Sequence, residues 1–168
     1  NNCDIMTTPL RKPFSEVQSL VGRFESAVAG NPGRTPEHMM QRLTCVVEKE
    51  EDAEIPARAV VNYWRYFENL FTGAGSVNNG FPEPVDLETI NGKEDCGAED
   101  LCENMLFGTP EQIIAKLNRY RQAGVNHLLY GANFDLPHAL TKRSLQLFIA
   151  EVMPHFREQA GAGRLRAM

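Results

Sequence analysis

The chain has 168 residues, is 42% hydrophobic, and carries a formal net charge of −5 with a pI near 5.4. That length and apolar content suit one domain with a real core. The acidic balance and scattered Lys and Arg argue against a general nucleic-acid or anionic-membrane binder, and no apolar run approaches the roughly 20 residues a membrane span needs.

The opening NCDIMTTP reads as a short strand ending at Pro9. KPFSEVQSLVGRFESAVAG follows as a helix, capped near Ser15, with Val17, Leu20, Val21, Phe24 and Val28 on one face and Gly30 at its stop. NPGRTPE is a turn, and His38 is read as a turn residue. MMQRLTCVVEKE is a second strand in which Leu43, Cys45 and Val47 alternate with Arg42, Thr44 and Val46. The acidic EKEEDAE complements the N-terminal dipole of a helix over residues 53–71, with Pro56 tolerated in its first turn. Its apolar stripe is Val60, Val61, Trp64, Phe67, Leu70 and Phe71.

Between Gly73 and Phe107 the chain is rich in Gly, Asn, Pro and acids, which predicts a long loop or lid, with LCENML as one helical turn. Thr109-Pro110-Glu111-Gln112 is a capping box with Pro at the first helical position. The helix it opens buries Ile113, Ile114, Leu117 and Tyr120 and stops at Gly124 in a left-handed conformation. VNHLLYGANF is a last strand, and DLPHALTKRSLQLFIAEVMPHF a last helix presenting Leu145, Phe148, Ile149, Val152 and Phe156. Strand and helix alternate, which predicts parallel strands joined by helical crossovers. Three strands leave two exposed edges, the expectation for part of something larger. The chain begins at Asn1 rather than Met, which points the same way, to a trimmed chain or a fragment.

Cys3, Cys45, Cys96 and Cys102 have no metal or redox spacing, and a reducing cytoplasmic setting is the simplest reading. None of the histidines lies in a metal-binding motif, so no metal site is expected. His127 alternates with Leu128 and can point into the interior of a barrel, or serve as a hydrogen-bonded structural residue. His138 and His155 read as helix-end residues.

In order and spacing, MTTPLRKPFSEVQSLVGRFESA, LTCVVEKEEDAEIPAR and FGTPEQIIAKLNRYRQAGVNHLLYGANFDLPHALTKRSLQLFIAEVMPHF resemble the C-terminal portion of luciferase-like flavin-dependent monooxygenases, the bacterial luciferase superfamily. The turn VVEKEED lacks the Thr usual there, and residues 73–107 match no family pattern. The resemblance implies an α/β fold, the C-terminal part (about three βα units) of a (β/α)8 TIM-type barrel. Residues 1–160 would form it, with 73–107 as loop or lid and 161–168 as a tail.

Active sites of such barrels lie at the C-terminal ends of the strands. The resemblance makes Met6 and Thr7 flavin-wall residues and brings Tyr130, Gly131 and Asn133 to the pocket mouth, with Gly131 permitting close backbone approach. Catalytic residues come mostly from the first five strands of the family barrel, so none is assigned here. The implied activity is oxygenation of a small organic substrate by O2 and reduced FMN, the latter supplied by a flavin reductase. The alternatives are hydride transfer with coenzyme F420 on the same fold, or a non-catalytic half-barrel docking on a partner chain. The expected partners are the missing N-terminal half of the barrel and a second copy in a homodimer. Alone, this segment is expected to be inactive, because three strands cannot close an eight-stranded barrel.

Overall fold

The computed structural model describes residues 3–161 apart from positions 32, 34, 92, 94, 95 and 133. In chain order the elements are β1 (Ile5–Thr7), α1 (Phe14–Val28), β2 (His38–Val46), α2 (Glu54–Thr72), β3 (Val77–Asn78), β4 (Phe81–Pro82), α3 (Leu87–Asn91), α4 (Ala98–Asn104), β5 (Leu106–Gly108), α5 (Pro110–Gln122), β6 (His127–Gly131), α6 (His138–Leu147) and α7 (Met153–Gly161). A 3-10 turn (Glu50–Ala53) leads into α2, and a π-helical turn (Phe148–Val152) joins α6 to α7. No helix is long and apolar enough among the described residues to cross a membrane.

β2 is the hub of the sheet. β1, β5 and β6 all pair with it in parallel. β1 ends at Thr7, level with Met40, and β6 ends at Gly131, level with Leu43. β2 runs three residues further, and β5 pairs with that extension, from Thr44↔Leu106 to Val46↔Gly108. The sequence pattern does not disclose β5. It is three residues long, wedged between α4 and the Thr109 cap, too short for alternation to register.

Strand parity divides the structure into two packed layers. Met40 and Val46 face α1, α5 and the C-terminal helix, in a core with Val17, Val21, Ile113, Leu117, Tyr120, Leu147 and Val152. This is the outer face. Each fully buried aliphatic chain there contributes about 1.5–3 kcal/mol. The inner face carries Cys45 and Val47, which pack with Ala57, Val60 and Trp64 of α2, Leu101 and Met105 around α4, Phe107 of β5, and Phe134.

That second core overturns one expectation. α2 is not the crossover that covers the sheet between consecutive strands; it lies across the inner face. The crossover is α5, opened by the expected capping box, with Gln112 Oε1 accepting from the Thr109 N–H at 3.0 Å. Gly124 sits at φ 103°, where a Cβ would stand 2.9 Å from Val21 of α1. Residues 47–108 are therefore one excursion from the C-terminal end of β2 and back to it. The part expected as a long loop carries the β3–β4 hairpin, α3 and α4.

Three helix readings change. α1 begins at Phe14 behind Pro13, with no side-chain cap, so Ser15 lies inside it. On α2 the stripe stops at Phe67: in the last turn Asn69 is the buried residue, bonded to Gly75, Ser76 and Glu83, while Leu70 and Phe71 are 64% and 74% exposed. In the final helix the π turn adds a residue to one turn and rotates the buried face. Ser144, Leu147 and Val152 are buried there, while Leu145 and Ile149 are exposed. His38 is not a turn residue but the first residue of β2, fully buried.

Candidate functional site

Parity sorts the expected site residues. Met6 pairs with Met39, so both lie on the inner face, and Met6 is 55% exposed. On β6, His127, Leu129 and Gly131 take the inner face opposite Met39, Gln41 and Leu43. Met6, Met39, Leu43 and Leu129 thus form a partly open strip along the strands, mainly apolar and interrupted by Gln41 and His127. Gly131 belongs to it, and its close approach is to protein: a Cβ there would stand 2.8 Å from the Arg42 carbonyl oxygen.

Thr7 and Tyr130 take the opposite parity. Thr7 Oγ1 is hydrogen-bonded to His38 Nε2 at 2.8 Å, toward α1, where Phe24 packs on the imidazole. Tyr130 turns its ring onto Phe148 and its hydroxyl onto Ser144 Oγ at 2.6 Å. Burial pushes the Tyr130 phenol up to about 12, so it stays protonated at neutral pH. Ser144 Oγ also accepts the Val46 N–H at 2.6 Å, tying α6 to both strands. Both side chains brace strand ends from the helix layer. Asn133 lies outside the described residues. His127 does point inward, with Nε2 2.8 Å from Glu37 Oε2 near the start of β2.

The inner strip ends in a cleft of about 210 Å³ between the C-terminal end of β1, β2 and α2, lined by Thr8, Leu10, Gln41, Leu43, Tyr63, Trp64 and Phe67. Tyr63, Trp64 and Phe67 form a continuous aromatic wall, with centroids 4.7 Å apart for Tyr63–Phe67 and 5.4 Å for Trp64–Phe67. Thr8 Oγ1 donates to Gln41 Oε1 at 3.2 Å across the cleft floor. The Arg11 guanidinium lies over the Trp64 ring, 5.5 Å from its centroid.

Arg42 holds the mouth of this cleft in shape from behind. It is fully buried on the outer face and donates from Nη1 to the Leu10 carbonyl (2.6 Å) and from Nη2 to the Lys12 carbonyl (2.8 Å). Leu10 has φ 50°, a left-handed conformation costing a non-glycine residue about 1–2 kcal/mol. Two charge-assisted hydrogen bonds offset that strain and present Leu10 to the cleft.

Two larger grooves have different character. One, about 490 Å³, runs along the outer side of β6, α5 and α7 over Tyr120, Leu128 and Phe156. The other, about 550 Å³, is rimmed by Glu50, Glu51, Glu54, Glu99 and Glu103, and its Lys116 ammonium is spent on the carbonyls of Cys102, Met105 and Phe107. From the sequence, Trp64 reads as part of a core stripe and Thr8 as a strand-end position at the catalytic face, while Gln41 is passed over. Parity on β2 was the available signal: Gln41 and Leu43 alternate with the helix-facing Arg42.

No family model matches the chain. Over 159 residues, 94% of its length, it is 30% identical to the oxygenase component of a flavin-dependent trigonelline monooxygenase from Acinetobacter baylyi, of which it spans 44%. It superposes on the crystal structure of monooxygenase RslO1 from Streptomyces bottropensis with a TM-score of 0.59 at 16% identity, covering 91% of this chain and 42% of that one. An F420-dependent secondary alcohol dehydrogenase gives a TM-score of 0.46 at 19% identity, too weak a likeness to carry an argument. The chain spans less than half the length of each. Its parallel βα units have the fold of part of a (β/α)8 barrel, and the resemblance to luciferase-like flavin-dependent monooxygenases, read from three stretches of sequence, holds over nearly the whole chain.

Proposed function

We propose that the chain is the C-terminal part of the oxygenase component of a two-component flavin-dependent monooxygenase, acting in the cytoplasm on a small organic substrate. The observation that carries this reading is the 30% identity to such an oxygenase component across 94% of the chain. The inner strip supports it. Met6, Met39, Leu43 and Leu129 offer a mainly apolar wall against which the ring system of FMN could lie, and Met6 and Leu129 are 55% and 42% exposed along it.

A bound reduced flavin would supply the electrons that activate O2, with one oxygen atom going to the substrate and the other leaving as water. The protein's part is to position, to exclude water and to tune polarity. Met6 and Leu129 would lie against the ring of a bound flavin. Thr7 and Tyr130 act one layer back, through His38 and Ser144, by fixing the strand ends that present Met6 and Gly131. No Lys or Arg lines the strip among the described residues, so the flavin phosphate is held by other parts of the longer protein. A separate flavin reductase delivers the reduced cofactor, and the oxygenase works as a homodimer.

The test uses the full-length protein. FMN is expected to bind with quenching of its fluorescence, and substrate oxygenation to require reduced FMN and O2. Met6→Glu puts a carboxylate against the ring at an exposed position, and is expected to weaken FMN binding at least about tenfold with folding unchanged. Turnover with F420 but not with FMN would sink the proposal.

A further inference from the structure

We propose that the last turn of α2 and the β3–β4 hairpin form an apolar head that docks, within the same molecule, on the part of the longer protein preceding β1. The proposal rests on the reading above in one respect, that the chain is the C-terminal part of a longer barrel. It does not rest on the flavin.

The starting observation is a cluster of uncovered side chains. Leu70 and Phe71 on α2 and Val77 and Phe81 on the hairpin are 64%, 74%, 65% and 76% exposed, more than any other large hydrophobic side chain among the described residues. At about 150–250 Å² per aromatic side chain, the two Phe rings alone leave about 300 Å² in water, the size of the largest apolar patch on a typical monomer. The run from Leu70 to Pro82 contains no Asp, Glu, Lys or Arg, in a chain that is 23% charged. Exposed sheet edges are ordinarily protected by such charges, and a hairpin without them is one that the complete molecule covers.

The head is also preformed. Asn69, 3% exposed, accepts the Gly75 N–H at 2.9 Å and donates from Nδ2 to the carbonyls of Ser76 and Glu83, 2.7 Å each. A Cβ at Gly75 would stand 2.8 Å from that Nδ2, so the approach needs glycine. Asn79 and Gly80, at φ 49° and 84°, close the hairpin, and Arg65 Nε holds the Val85 carbonyl beyond it at 2.6 Å. The apolar side chains are therefore presented from a fixed frame, which lowers the entropy cost of docking.

The direction of α2 identifies the occupant. Ala57 and Val60 pack with Cys45 and Val47 at the end of β2. Further along the helix, Trp64 and Phe67 share a cleft with Thr8 and Leu10, just past the end of β1. The axis thus runs from β2 toward β1, and from Trp64 to Phe71 it rises about 10 Å more, about two strand spacings. β1 pairs with β2 alone among the described residues, so the head overhangs the ground beyond the free edge of β1. Consecutive parallel strands are ordinarily neighbours, which assigns that ground to the strands before β1. The monooxygenase relative, of which this chain spans 44%, has ample length to supply them. A second copy would have to enter a space that the molecule's own sheet continues into.

The test places a photoreactive benzoylphenylalanine at position 71 of the full-length protein, which is irradiated and resolved by denaturing gel and peptide mass spectrometry. The expected product keeps the mass of one chain and links position 71 to a peptide preceding Asn1, at a yield unchanged by dilution. In the parent protein, hydroxyl-radical oxidation of Phe71 and Phe81 should be at least about tenfold slower than in urea, which decides the matter if the substituted protein does not fold. The proposal is overturned by a product of twice the chain mass, which puts a second copy on the head, or by cross-links confined to this segment. Oxidation of both rings within about twofold of the urea rate overturns it as well, since the head is then bare. A docked head in a protein that fails to bind FMN removes the flavin reading and keeps the docking. FMN binding with a bare head removes the docking alone.

Discussion

Ser144 offers the sharpest stability test. The last register pair between β2 and β6 is Leu43↔Gly131, and beyond it the Val46 N–H has its partner in Ser144 Oγ, 2.6 Å away on α6. The same oxygen, 1% exposed as a residue, is 2.6 Å from the Tyr130 hydroxyl. Ser144→Ala strips one buried backbone donor and one phenol of their partner. At about 1–3 kcal/mol for each orphaned group, and less for the half-buried Tyr130, the cost should be about 2–4 kcal/mol. Tyr130→Phe removes its own hydroxyl and leaves the Val46–Ser144 bond intact, so it should cost only about 1 kcal/mol. The two are coupled, because the phenol orphaned by Ser144→Ala is absent in the double variant. The double should therefore fall short of the sum of the singles by about 1 kcal/mol. Urea midpoints at unchanged slope on the full-length protein measure all four corners. A Ser144→Ala cost within about 0.5 kcal/mol of zero, or strict additivity in the cycle, would refute the bridging role.

Three further outcomes are expected. Gly131→Ala pushes a Cβ to 2.8 Å from the Arg42 carbonyl oxygen, and since backbone cannot swing aside it should cost about 1–3 kcal/mol and lower the melting temperature. Arg42→Met removes a buried cation together with its bonds to Leu10 and Lys12, so global stability should change little while the turn loosens; trypsin should then cut after Arg11 faster than in the parent. Burial raises Cys45 to about 11 and Tyr130 to about 12 from their usual 9 and 10, so the unfolded chain loses these protons first. Stability is full below about pH 9 and declines between pH 9 and 12, and Tyr130→Phe should delay the upper part of that decline; thermal melts from pH 8 to 11 check the sign.

Much of this architecture is legible in the sequence because the local signals agree with one another. TPEQ caps α5 as its chemistry dictates, Gly124 takes the left-handed turn, and Ile113, Leu117 and Tyr120 fall on the buried face. Elsewhere local signals are silent about tertiary placement. A stripe of Val60, Trp64 and Phe67 reports that α2 packs against something, not which side of the sheet that is. The π turn adds a residue that no periodicity reveals, so Ile149 reads as buried and is 56% exposed. Thr7 and Tyr130 sit at strand ends as expected, but a strand end says nothing about the face a side chain takes. The register through His38 and Arg42 decides that, and one residue of slip would exchange Thr7 with Met6.

The position of α2 links the fold to the proposed chemistry. A helix on the inner face removes Cys45 and Val47 from solvent but leaves Leu43 half-covered, where the Trp64–Phe67 end of α2 meets both the sheet and the turn after β1. The strand layer and the excursion therefore meet in a seam. Its two sides are ordered by different means: Arg42 fixes the turn through backbone carbonyls, while α2 is held by the apolar contacts of Ala57 and Val60. α2 should therefore open independently of the sheet, so amide exchange in residues 60–67 should be faster than in α5. Equal exchange in both helices would mean that the seam does not separate two independently ordered layers.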